Sequence, residues 1–144
     1  ETVYEFRKDF VVSPLSSLDV DSRPNYDFNG KNCAFFFSEL YDENDKLIAS
    51  NIVLGSKPKY FDFPKPSIGI YATETQGGVN LQFSSRVLVK NLELTFKGLE
   101  LKLSDNYFDL TGKPYTVFVE TDLTAEQILD RLSYLSVYDI SLKY

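Results

Sequence analysis

The feature that most limits the fold is the rhythm of the apolar residues. Short runs rich in Val, Ile, Leu, Phe and Tyr are each stopped by a cluster of Gly, Pro, Asn, Asp or Ser. RVLVKNLELTF shows the rhythm. Val87, Val89, Asn91, Glu93 and Thr95 fall on one side of an extended chain, and Leu88, Leu92, Leu94 and Phe96 fall on the other. Its β-branched residues favour strand over helix. No series of long amphipathic helices alternates with these runs, so a parallel α/β sheet is not expected. The 12 Phe and 10 Tyr are distributed among the runs, and that spacing predicts an all-β sandwich or barrel.

The other runs can be placed the same way. TVYEFRKDFVV alternates Tyr4, Phe6, Lys8 and Phe10 against Val3, Glu5, Arg7 and Asp9, which predicts a half-buried strand. PLSSLDVDSRPNYDFNG reads as loop. CAFFFSELYD and LIASNIVLG flank the polar tip ENDK, a hairpin pattern in which Asn44-Asp45 tolerates the turn backbone. SKPKYFDFPKP carries Pro58, Pro64 and Pro66 and is expected to be an extended connector and a domain boundary. SIGIYATET and VNLQFSS on either side of Gly77-Gly78 form a second hairpin pattern, and GLELKL and PYTVFVET are further strands. Thr124-Ala-Glu-Gln127 is a capping box predicted to open a short helix through Leu132, with Ile128, Leu129 and Leu132 as an apolar stripe over the end of the sandwich. SVYDISLKY is expected to close the chain as a strand.

Missing residue types narrow the chemistry. The chain has no His, which removes imidazole bases, Ser-His triads and His-ligated metals. Its single cysteine, Cys33, cannot form an internal disulfide or a cysteine zinc site, and its apolar neighbours predict a buried free thiol. There is no phosphate-binding glycine loop. A net charge of −6 without a basic cluster argues against a nucleic-acid partner. No apolar stretch is long enough for a membrane helix. The 144 residues suffice for one domain or for one and a part. With no Met anywhere, the chain is expected to be a piece of a longer product or to have lost a leader. A soluble protein is expected, cytoplasmic or periplasmic, with the compartment open.

The polar knot LSDNYFDL stands between two strand-like runs. Asp105 and Asp109 could be read as a glycosidase acid and nucleophile, which would have to face each other across a sugar cleft. Asp105, Asn106 and Asp109 could be read as calcium ligands, although three are too few and their spacing is not that of an EF-hand. The reading preferred here is a structural corner of Ser104, Asp105, Asn106, Tyr107, Phe108 and Asp109. Asp105 and Asn106 make Asx-type bonds, and Tyr107, Phe108 and Leu110 pin the turn into the core. Tyr107 is expected to be a buried ring with a capping hydroxyl.

LKLSDNYFDLTGKPYTVFVE, a short helix and LSVYDI resemble the C-terminal immunoglobulin-like domain of β-mannosidases, glycoside hydrolases of the β-galactosidase and β-glucuronidase clan. Ser104 through Leu110 match the family's SDNYFDL residue for residue. Thr111 stands where the family has a proline, and Pro114 comes later. The likeness covers residues 63–144 and implies an immunoglobulin-like antiparallel β-sandwich with one short helix near the C-terminus. Residues 1–62 resemble the later strands of the preceding sandwich plus a linker. Those strands would leave open edges, through which self-association is an expectation.

The resemblance further implies a non-catalytic accessory domain, with no catalytic, cofactor or metal residues of its own. The carboxylates that release terminal β-linked mannose belong to a (β/α)8 barrel upstream. The partners it implies are the other domains of the parent enzyme. Two other functions stay open. One is a carbohydrate-binding module that takes manno-oligosaccharide on Tyr60, Phe61, Phe63, Tyr71, Tyr134, Tyr138 and Tyr144. The other is a cell-surface adhesion domain.

Overall fold

Every ladder in the computed structural model, which describes residues 5–20 and 32–141, is antiparallel. The chain separates into two compact units, residues 1–30 and 31–144. The described part of the first is extended chain and one turn, in which Ser16 donates to the Ser13 carbonyl at 3.2 Å. The strand expected at TVYEFRKDFVV is not formed over residues 5–12, and residues 1–4 lie outside the described residues. Alternation aligns side chains on one face, but a strand also needs a ladder, and residues 5–12 form none with the described residues.

The second unit begins with a hairpin, β1 (Phe35–Tyr41) and β2 (Leu47–Leu54), which forms a sheet of its own. The turn is closed by Asp42, whose carboxylate accepts the backbone N–H of Asn44 and of Lys46, both at 2.9 Å. Asp45 takes the left-handed backbone at φ 58. Neither strand buries a residue fully. Cys33, just before β1, is therefore exposed, contrary to the buried thiol expected from its apolar neighbours. A two-stranded ribbon alone has too little surface to cover them.

The sandwich follows a single 3-10 turn at Pro58–Tyr60. One sheet holds β3 (Gly69–Thr75), β4 (Gly78–Ser84), β8 (Tyr115–Glu120) and β6 (Lys102–Leu103), in the order β3-β4-β8-β6. The other holds β7 (Phe108–Leu110), β5 (Val89–Phe96) and β9 (Leu132–Leu135), with β5 central. Gly77 and Gly78 each answer a different need. Gly77 sits at φ 81 in the β3–β4 turn, and a Cβ on Gly78 would overlap the Val119 carbonyl oxygen.

The two sheets bury matched cross-strand pairs. Val79 faces Val119 and Leu81 faces Val117 on the first sheet; Val89 faces Leu110 and Leu92 faces Phe108 on the second. All eight are buried. A short helix, α1 (Ala125–Leu129), closes one end with Ile128 fully buried. The capping box is formed: Gln127 N–H donates to Thr124 Oγ1 at 3.3 Å, and Thr124 N–H donates to Gln127 Oε1 at 3.0 Å. The helix stops at Leu129, which is exposed, and Leu132 opens β9 instead.

Residues 136–141 do not form the closing strand expected of SVYDISLKY. Val137–Ser141 is a second short helix, α2, started by Ser136, whose N–H and hydroxyl both donate to Asp139 Oδ2 at 2.8 Å. Residues 142–144 lie outside the described residues. The architecture is all-β, with two short α-helices among the described residues against the one expected. Among the described residues no helix is long and apolar enough to cross a membrane.

Leu81→Ala is expected to lower unfolding free energy by about 2–5 kcal/mol in urea, because the fully buried site leaves a cavity. Ile48→Ala on β2, where the side chain is 60 % exposed, should cost less than about 1 kcal/mol. Equal costs at the two sites would refute the placement of the core.

Candidate functional site

The corner at 104–109 lies where the chain leaves the first sheet and enters the second. β6 is only two residues long, paired through Lys102 with Glu120 and Leu103 with Val119. Ser104 prolongs that ladder. Its N–H donates to the Phe118 carbonyl, and its Oγ accepts the Phe118 N–H, both at 2.9 Å. Asp105 then turns the chain: Oδ1 accepts the Asn106 N–H at 2.8 Å, and Oδ2 accepts the hydroxyl of Tyr115 on β8.

Asn106 substitutes for a strand residue. Its Oδ1 accepts the Leu94 N–H at 2.8 Å, and its Nδ2 donates to the Leu94 carbonyl at 3.1 Å. β7 pairs with β5 only as far as Leu92, so without this amide both backbone groups of Leu94 on that edge would lack a protein partner. Oδ1 also accepts the Tyr107 N–H at 3.0 Å.

Tyr107 departs from expectation. Its ring is 59 % exposed, its backbone is left-handed at φ 64, and its hydroxyl donates to Glu93 Oε1 at 2.9 Å. That carboxylate acceptor raises the tyrosine pKa. The neighbouring rings fill the role expected of it. Phe108 is buried, stacked on Tyr115 with centroids 4.5 Å apart and tilted against Phe83 at 5.3 Å. Leu110 is fully buried.

Asp109 acts on β5. The register of β5 against β7 slips between Val89 and Leu92, and Asn91 adopts φ 51. The slip is a bulge, and it changes parity: Val89 and Leu92 are both buried, although plain alternation sets them on opposite faces. Asp109 Oδ1 accepts the Asn91 N–H at 2.8 Å, and its two oxygens receive Lys90 Nζ at 2.8 and 3.1 Å. Both side chains are about three-quarters buried, 26 % and 23 % exposed. The pair therefore sits in a poorly screened site and holds a backbone amide as well.

The two aspartates serve different elements, Asp105 through Tyr115 of β8 and Asp109 through Lys90 and Asn91 of β5. The oxygens of Asp105, Asn106 and Asp109 accept amide, hydroxyl and ammonium donors. Those contacts do not converge on one point as a glycosidase pair or a calcium shell would require.

The aromatic residues considered as a sugar platform are divided among elements. Tyr60 and Tyr71 are 58 % and 67 % exposed, on the 3-10 turn and on β3. Phe61 is buried against Phe63 at 4.6 Å. Tyr134 belongs to the facing sheet, Tyr138 lies on α2, and Tyr144 falls outside the described residues.

The sequence reading missed Tyr115, Lys90 and Glu93 as partners of the corner. One signal was present. Lys90-Asn91 puts two polar residues in succession inside RVLVKNLELTF, where strict alternation allows one.

A family model described as an Ig-fold domain, that of the mannosidase immunoglobulin-like domains, matches residues 63–140. No curated protein matches the chain.

Asp109→Ala is expected to destabilise the chain by about 3 kcal/mol, since it strands a part-buried ammonium and a backbone amide. Tyr107→Phe, which loses one exposed bond, should cost under about 1 kcal/mol. Equal midpoints in denaturant for wild type and Asp109→Ala would refute the clamp.

The Tyr115 hydroxyl is pushed up to about 12, first by burial and then by its bond to Asp105. Below the ordinary value of about 10 the phenol is neutral in folded and unfolded chains alike. Above it the unfolded chain ionises first, so stability should fall between about pH 10 and 12, by roughly 1 kcal/mol after solvent screening of a part-exposed ring. Tyr115→Phe should remove that part of the alkaline slope, as read by denaturant melts at several pH values. An unchanged slope would refute the assignment.

Proposed function

The chain belongs to the mannosidase Ig-fold domain family, and from that premise we propose that it is a non-catalytic accessory domain of a β-mannosidase-like glycoside hydrolase. In this reading the parent enzyme removes terminal β-linked mannose from oligosaccharides, and this chain packs against its other domains. The observation that carries the reading is the engagement of the corner: Ser104, Asp105, Asn106 and Asp109 all have their side-chain oxygens bonded to the fold. A segment that resembles the family so closely contributes architecture, and the hydrolytic carboxylates lie elsewhere in the parent.

Residues 1–62 enter the same proposal as later strands of the preceding sandwich and a linker; of such strands the described residues form β1 and β2. Phe36 and Leu40 on β1 share one face with Val53 and Ala49 opposite them, and all four are exposed. An isolated two-stranded sheet with an apolar face is stable only when something covers it. A neighbouring sandwich of the same enzyme would supply that cover.

The coding sequence ahead of Glu1 is expected to contain a (β/α)8 barrel. The purified chain should neither hydrolyse an aryl β-mannoside nor show saturable NMR shifts with manno-oligosaccharides. A barrel-free array of sandwich domains upstream would overturn the accessory reading in favour of adhesion. Saturable shifts centred on the exposed tyrosines would overturn it in favour of sugar binding.

A further inference from the structure

Three stretches of chain meet at the end of the first sheet, where β3 begins, β4 ends and β8 begins. Gly69 with Ser84 is the outermost β3–β4 pair there, and Phe83 pairs with Tyr115 just after the turn that carries Gly112. Between them lies an open depression of about 620 Å³, lined by Lys65, Ser67, Ser84, Ser85, Arg86 and Gly112 among others.

The charge of this depression opposes that of the molecule. The chain carries −6 overall, yet the lining holds two cations and no carboxylate. Lys90 and Lys113 are paired, with Asp109 and Glu39. Lys65 and Arg86 have no hydrogen-bond or ion-pair partner among the described residues. Two cations without a partner among the described residues, beside one cavity, raise the local concentration of anions.

The hydroxyls point to the rest of the ligand. Ser85 is 7 % exposed; its Oγ accepts the Val87 N–H at 3.3 Å, while its own proton meets no acceptor among the described residues. A buried hydroxyl with an unused donor is uncommon. Ser84 keeps its position because residue 69 is glycine; a Cβ there would come within 2.8 Å of Ser84 Oγ.

We propose that this depression binds a small hydroxylated acid. Arg86 and Lys65 take its carboxylate or phosphate oxygens, and Ser67, Ser84 and Ser85 take its hydroxyls. The guanidinium suits either anion, since its paired donors match two oxygens at once. A sugar carrying a uronate carboxylate and one carrying a phosphate monoester are the two sources of this chemistry. The site does not depend on the accessory role, and its presence or absence leaves that role standing.

The test is an amide NMR titration of the whole chain at low salt with glucuronate, mannose 6-phosphate and neutral mannose. Saturable shifts are expected at Gly69, Ser84, Ser85, Arg86 and Gly112 with one or both acids, and none with mannose. Whichever acid binds tighter identifies the source. Arg86→Gln and Lys65→Gln should each weaken binding roughly fivefold, and about 0.5 M salt should weaken it further. Both side chains are exposed, so the melting temperature should not move. Equal shifts with mannose, no shifts with either acid, or full affinity in the double variant would overturn the proposal.

Discussion

Half of β5 faces the core only because the chain gains one residue at Lys90–Asn91. Before the bulge, Val89 pairs with Leu110; after it, Leu92 pairs with Phe108, and all four are buried. An unbulged β5 that kept Leu92, Leu94 and Phe96 inward would turn Val89 out to solvent. The extra residue leaves one amide outside the ladder, and Asp109 accepts it. The same carboxylate neutralises Lys90, a cation drawn partly under the sheet. A local irregularity thereby sets the packing of the second sheet against the first.

The corner residues share this logic of completing ladders that backbone alone leaves open. Ser104 prolongs the pairing of β6 with β8, Asn106 prolongs that of β7 with β5, and Asp109 closes the bulge. The Asn106 amide offers the same donor and acceptor as a peptide unit, and Ser104 and Asp109 each offer an oxygen that accepts a backbone N–H. Such residues resemble a ligand site when read as a list, because the same groups bind sugars and metals. Only the direction of each bond distinguishes the two uses.

What could be read from the chain follows the reach of the interaction concerned. Both hairpins and the capping box are local, and each was legible in ENDK, Gly77-Gly78 and Thr124-Ala-Glu-Gln127. The strand expected over TVYEFRKDFVV failed because alternation says nothing about a partner. SVYDISLKY carries strand-like residues, yet Ser136 and Asp139 cap one another and start α2 instead. Tyr107 does not take the buried role expected of it: its backbone is left-handed and its ring exposed, and Phe108 stacked on Tyr115 lies inside instead. The depression at Lys65 and Arg86 joins residues from separate loops and had no signature in sequence order.

The tight turn at Gly77 bears on how quickly parts of the sandwich assemble. β3 and β4 are neighbours in sequence, so bringing them together costs little chain entropy. β5 and β9 are not: Phe96 must find Leu132 across the whole of β6, β7, β8 and α1. Non-local closure of that kind slows the search. The pairing of β4 with β8 closes a comparable stretch, so each sheet rests on one long-range closure, and the second sheet has an open edge on β5 until β9 docks.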